Sequence, residues 1–114
     1  MAITYFQDTI FSTESTLTAP AVGSALQVAV NNTFSTSIYT FIVTVASVNT
    51  NVIVRLEGSI DGTNYAPIIA NQTITANGTT AYSVSGRPVK WLRTNWVSEA
   101  GGTAAEVTFS IAAA

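Results

Sequence analysis

The chain has 114 residues, a formal net charge of −2, 47% hydrophobic and 9% charged residues, and neither cysteine nor histidine. That length suits one domain burying about two thirds of its unfolded surface without disulfide staples. The missing residue types remove thiolate chemistry together with the commonest general base, metal ligand and pH switch, and so sparse a charge lacks the basic stripe that nucleic acid demands.

A mean hydropathy of +0.37 argues against disorder and leaves a surface made largely of Thr, Ser, Asn and Ala, well below the roughly 25% charge of average proteins. Such a surface suits permanent contacts. Met1-Ala2-Ile3-Thr4 carries no basic leader region, and Thr or Asn breaks every apolar run before it reaches membrane-spanning length. The expectation is a soluble chain that makes no membrane contact. Three glycosylation sequons, at Asn31, Asn71 and Asn77, are expected by chance in a chain so rich in Asn and Thr.

In chain order, residues 1–24 read as an N-terminal strand or arm followed by a loop, and residues 25–114 as a β-domain. Ile3 to Phe11 is β-prone, and Ser12 to Gly23, rich in Ser and Thr with Pro20, is extended or looped. Leu26, Val28 and Val30 alternate on one face of a strand closed by Asn31-Asn32. Ile38 to Val45 is apolar on both faces, which predicts a central strand covered on both sides.

Val52 to Ile69 predicts a hairpin. Asp61-Gly62 supplies the two φ > 0 positions of a two-residue type I′ turn, with Ile60 opposite Thr63. That register sets Gly58 against Tyr65, Leu56 against Pro67 and Val54 against Ile69, with Arg55 and Glu57 on the other face. Pro67 restricts the return strand to an edge or an early end. Asn77-Gly78 predicts a second hairpin between strands at Gln72 to Ala76 and Thr80 to Ser85. A third joins Lys90 to Ser98 with Ala104 to Ala112 through Gly101-Gly102, placing Val107, Phe109 and Ile111 inward, opposite Trp96, Thr94 and Leu92. Trp91, Arg93 and Asn95 then point outward. No segment keeps a helical period, so the fold class is all-β, a single antiparallel β-sandwich or jelly-roll-like domain of about eight strands.

Few residues offer chemistry. Glu57 and Asp61 are the nearest carboxylates, as a glycosidase would require, but turn geometry accounts for Asp61 and a partner such as Arg55 or Arg93 for Glu57. The Asp61 to Asn64 loop lacks the regular acidic spacing of a calcium loop. Ser and Thr nucleophiles would have only Lys90 as an activating base. The chain is therefore read as a non-enzyme with no cofactor and no metal. Trp and Arg dominate interface hot spots and sugar platforms alike. Trp91 is open to three readings: covered by a loop, an interface anchor, or a glycan-stacking platform. Tyr5, Phe6, Trp91 and Arg93 are the candidate interface residues.

The stretch Val54-Arg-Leu-Glu-Gly-Ser-Ile-Asp-Gly-Thr-Asn-Tyr65, with the later Gly86-Arg-Pro-Val-Lys-Trp-Leu-Arg93, resembles small β-sandwich proteins of tailed bacteriophages. In these an EGS-x-DG-x-N-aromatic hairpin precedes an RP-x-x-aromatic-x-R strand. The resemblance spans residues 38 to 112. It implies a structural virion protein, foremost a capsid decoration (cement) protein on the capsid surface, made in the bacterial cytoplasm. Its implied partners are the major capsid protein and copies of itself, a trimer being favoured, with the N-terminal arm ordering or adding a strand on contact. The alternative is a carbohydrate-binding or adhesin module of a tail or fibre, using Trp91 and the Asp61 to Asn64 loop. The strand around Trp91-Leu92-Arg93 also resembles discoidin-like jelly rolls, whose relatives often bind glycans.

Overall fold

A computed structural model describes residues 10–13, 16–29 and 36–114. The described residues form eight strands: β1 (Ile10–Thr13), β2 (Leu26–Gln27), β3 (Tyr39–Ala46), β4 (Asn51–Ser59), β5 (Ala66–Ile74), β6 (Gly78–Val84), β7 (Trp91–Ala100) and β8 (Glu106–Ala113). They build two antiparallel four-stranded sheets, ordered β1-β8-β3-β6 and β2-β7-β4-β5. The sandwich expected from the sequence is what forms.

Period-two alternation fills the space between the sheets. Tyr39, Phe41, Val43 and Val45 of β3 and Val107, Phe109 and Ile111 of β8 meet Val52, Val54 and Leu56 of β4 and Leu92 and Trp96 of β7, all buried. At about 1.5–3 kcal/mol for each large apolar side chain, this layer is the main stabilising term of the fold. Phe41 lies at its centre, with ring centroids 5.3 Å from Tyr82 and 6.0 Å from Phe109. At one end the buried Tyr39 hydroxyl accepts from the Val89 amide (3.0 Å) and donates to the Thr36 carbonyl (3.0 Å). Both approaches to the core are thereby tied together.

Three hairpins were expected, and one exists. β4 and β5 do pair, but the connection runs from Ile60 to Tyr65, longer than a two-residue turn. The register is Gly58 with Ala66, Glu57 with Pro67, Leu56 with Ile69 and Val54 with Gln72, with irregularities on either side of Leu56. The Asp61 side chain explains the difference. Its Oδ1 accepts from the Thr63 and Asn64 amides (2.8 Å each), while the Ser59 hydroxyl accepts from the Gly62 amide at 2.9 Å. These side chains replace the ladder bonds on which a two-residue turn would rely. β5 is an edge strand, the position its Pro67 requires.

The other two pairs are crossovers. β6 lies beside β3 in the sheet opposite β5, and β8 lies between β1 and β3 in the sheet opposite β7. Val107, Phe109 and Ile111 do point inward, but their ladder partners are Val45, Val43 and Phe41. Trp96, Thr94 and Leu92 face them from across the core. Gly101 makes this crossover at φ +83°, where a Cβ would collide with Thr50. Its carbonyl accepts from the Asn49 side chain.

Two further expectations change. β3 is central in its sheet, between β8 and β6, but the described residues cover only one of its faces: Ile42 is 40% exposed, and Ile38, just before the strand, 51%. The strand expected from Ala25 to Val30 shrinks to Leu26–Gln27, with Val28 buried and donating to the Lys90 carbonyl at 2.7 Å. Val30 and the Asn31-Asn32 turn lie outside the described residues. Of the N-terminal stretch, Ile10–Thr13 pairs with Ala113–Ser110 of β8, Leu17 bridges Val107 and Val22 bridges Asn95.

Candidate interaction surfaces

The outward side of β4 and β7 carries two of the predicted residues. Alternation away from the core sends Arg55, Glu57, Arg93 and Asn95 to one patch, where cross-strand pairing sets Glu57 opposite Arg93 and Arg55 opposite Asn95. Glu57 is only 2% exposed. Its Oε2 accepts from Arg55 Nε at 2.7 Å and Asn95 Nδ2 at 3.0 Å, and its Oε1 from Arg93 Nε at 2.6 Å. Burial pushes the Glu57 carboxyl up, but hydrogen bonds from Asn95, Arg93 and Arg55, with the Arg93 charge, outweigh it and hold the group below its ordinary range.

Tyr65 completes the patch. Its ring lies 3.8 Å from the Arg93 guanidinium carbon, a cation–π contact, so it covers Arg93 and not Gly58 as the short hairpin required. Gly58 is approached instead by Val89 and Ile68, close enough that a Cβ there would sit 3.0–3.2 Å from them.

Trp91 lies half-buried beside this patch. A Cβ on Gly62, at φ +80°, would be 3.4 Å from the indole ring, so the ring packs on the loop between β4 and β5. Lys90 Nζ stands 5.9 Å from the ring centroid. The structure thus brings Trp91 and Arg93 together on one outer face, each held by its own loop or carboxylate. Tyr5 and Phe6 lie outside the described residues. Asp61 is likewise occupied: donors from Asn64, Thr63 and Ser59 hold its carboxyl well below the usual range. The closest carboxylates of the sequence are therefore both engaged by donors of their own chain.

The opposite outer face was read from the sequence as covered. On it, Thr40, Ile42 and Thr44 of β3 stand in register with Ser83, Ala81 and Thr79 of β6 and with Ala112, Ser110 and Thr108 of β8. None of these side chains is charged; Glu106, opposite Ala46, marks one margin. The hydroxyls bond one another: Thr40 with Ser83 (2.8 Å), Thr44 with Thr79 (3.0 Å) and Thr16 with Thr108 (2.8 Å). A hydroxyl that already has a partner loses less on leaving water than an unpaired one. This face is accordingly inexpensive to bury. The sequence signal for it was present in the apolar outward positions of β3, which ask for cover that the described residues do not supply.

Fold and surfaces together define an all-β, two-sheet sandwich with one ionic outer face and one outer face that is uncharged among the described residues. No family model and no curated protein sequence matches the chain. Among solved structures it is similar to the SPBc2 prophage-derived protein YomS, with a TM-score of 0.56 at 9% identity over 92% of this chain and 93% of that one. More distant likenesses are the Tobacco streak virus coat protein dimer (TM-score 0.45, 10% identity, 94% and 86% covered) and a Bacillus endospore appendage protein of disulfide-linked pili (0.40, 13%, 92% and 87%). The likeness to YomS is one of fold.

Proposed function

We propose that this protein is a structural component of a phage virion, and most concretely a decoration protein that stabilises the head by non-covalent contacts with the major capsid protein and with copies of itself. On this reading it is made in the host cytoplasm, resides on the capsid surface, performs no catalysis and needs no cofactor. The observation that carries the proposal is the uncharged outer face of the β1-β8-β3-β6 sheet, where Ile42 stands exposed among mutually bonded hydroxyls. Interfaces are depleted in charge at their centres, and β3 has the two-sided apolar pattern of a strand that is covered on both faces. The prophage-derived fold neighbour and the paired EGS-x-DG-x-N-aromatic and RP-x-x-aromatic-x-R motifs support the same reading.

Co-sedimentation with empty capsids tests it. Ile42→Lys places a charge at the centre of the uncharged face without touching the core. Capsid binding should weaken about tenfold or more, as for a buried hot-spot position, while thermal stability stays nearly unchanged. Undiminished binding would remove this face from the proposal. Failure of the unaltered protein to sediment with capsids would remove the decoration role itself.

Half-buried Trp91, its ring beside the Asp61 to Asn64 loop, favours a second reading, a glycan-binding module of a tail or fibre. Titrating mixed glycans against Trp fluorescence tests it; a response unchanged by Trp91→Ala would sink it.

A further inference from the structure

We infer that the exposed edge of β6 is a self-association site, at which β6 of a second copy of this chain pairs antiparallel about a twofold axis at Ala81. The inference rests on the reading of the protein as an assembling structural component and names the contact that joins its copies.

The edges of the two sheets differ in how far they are protected. β2 is short, at 2 residues, and β1 is described over 4. β5 carries Pro67 and an irregular register against β4, both of which discourage further pairing. β6 has neither device. It runs 7 residues, Gly-Thr-Thr-Ala-Tyr-Ser-Val, without a charge, a proline or a break in its ladder to β3. Among the described residues it is the last strand of its sheet, and an edge strand leaves alternate N–H and C=O groups without a ladder partner. A long, regular, uncharged edge is what another strand adds to.

The sequence of β6 suits a second copy of itself. Pairing centred on Ala81 sets Thr80 opposite Tyr82, Thr79 opposite Ser83 and Gly78 opposite Val84. Because the axis passes through a residue, opposed side chains share a face: Thr79, Ala81 and Ser83 outward, Thr80, Tyr82 and Val84 toward the core. Thr80 would lie beside the Tyr82 ring of the other copy, a β-branched and aromatic pair of the stabilising kind. No like charges meet. The two sheets become one of eight strands, and the uncharged outer faces of the two copies join into a single surface with Ala81 at its middle. Such a contact is isologous and closes on itself. It predicts an even number of copies in place of the three that the phage resemblance implies.

The chain has no cysteine, so Ala81→Cys introduces a single thiol. Opposed residues across a ladder have Cβ atoms about 4.5–5.5 Å apart, within reach of a disulfide after a small shift. Under mild oxidation of the folded full-length protein, Ala81→Cys should form a covalent dimer at least about tenfold faster than Thr63→Cys, on the distant β4–β5 loop, because pairing raises the effective thiol concentration. Native mass measurement of the unaltered protein should show dimers, and Ala81→Lys should convert them to monomers with little change in Tm. Cross-linking no faster than at Thr63, a trimer, or dimers that survive Ala81→Lys would overturn the inference. Capsid co-sedimentation is scored separately. If these tests fail while capsid binding persists, the strand contact is rejected and the decoration role stands.

Discussion

Glu57→Gln should destabilise the fold by about 2–3 kcal/mol and lower Tm by roughly 10 °C, although the side chain keeps its size. The reason lies in donor and acceptor count. Both oxygens of Glu57 only accept: Oε1 from Arg93, Oε2 from Arg55 and Asn95. A glutamine can present one carbonyl oxygen, so its NH2 must face at least one donor in a position closed to water. The loss falls at or just below the usual range for broken buried ion pairs because the Arg55 and Arg93 side chains are 28% and 30% exposed, leaving their charges partly hydrated. The same substitution should alter the acid limb of stability. The folded carboxyl sits below its ordinary value of 4.5, so its contribution is complete above that value and is lost as pH falls through the lowered one. Asp61, also lowered, from 3.8, acts in the same direction. Urea denaturation between pH 7 and pH 3 should show the wild-type protein losing stability more steeply than Glu57→Gln. Equal slopes would mean that the Glu57 carboxyl titrates alike in the folded and unfolded chain, so that its donors do not lower it.

How much of this was legible in the sequence depends on the range of the interaction. Side-chain direction was readable from alternation alone: Val107, Phe109 and Ile111 inward, Arg93 and Asn95 outward, and Glu57 with Arg55 or Arg93 as partners. Strand pairing was not, because Asn77-Gly78 and Gly101-Gly102 specify a reversal of direction without saying whether the returning strand joins the same sheet or the facing one. Both orientations bury the same residues. What decides is the rest of the core, and the aromatic contact of Phe41 with Phe109 and Tyr82 is made only if β6 and β8 flank β3. The short hairpin failed for a more local reason. Ser59 and Asp61 can take turn amides as acceptors, and this competes with the two-residue turn that Asp-Gly otherwise favours. Of the candidate residues, Trp91 and Arg93 were read as pointing outward, and both lie on the outer side of β7. The uncharged face went unrecognised because an apolar two-sided strand reads as buried whether its cover is the same chain or another one.

Trp96→Ala should cost about 3–5 kcal/mol, the scale of emptying a buried aromatic site, and bring a domain of ordinary stability close to unfolding. Volume is only part of the role. The β4–β7 ladder pairs Ile53 with Ser98 and then Val54 with Trp96, leaving Val97 as an extra residue that is 37% exposed. Trp96 Nε1 donates to the Ser98 carbonyl at 2.9 Å, spanning this bulge. Were Val97 paired in a regular ladder and not bulged out, Val54 would stand opposite Val97 and Leu56 opposite Asn95. Asn95 and Arg93 would then turn toward the core, and Thr94 would stand opposite Glu57. The bulge thus keeps the polar residues of β7 on the face where Glu57 meets them, and the indole N–H fastens it. Trp96→Phe separates the two roles. It keeps most of the ring volume and loses the hydrogen bond, so it should cost about 1–2 kcal/mol. Hydrogen exchange should quicken first around Val97 and Ser98 and at the amides of Asn95 and Arg93, while those of β3 and β8 keep their protection. Uniform acceleration across both sheets would show that the tryptophan acts through packing alone and that the bulge holds without it.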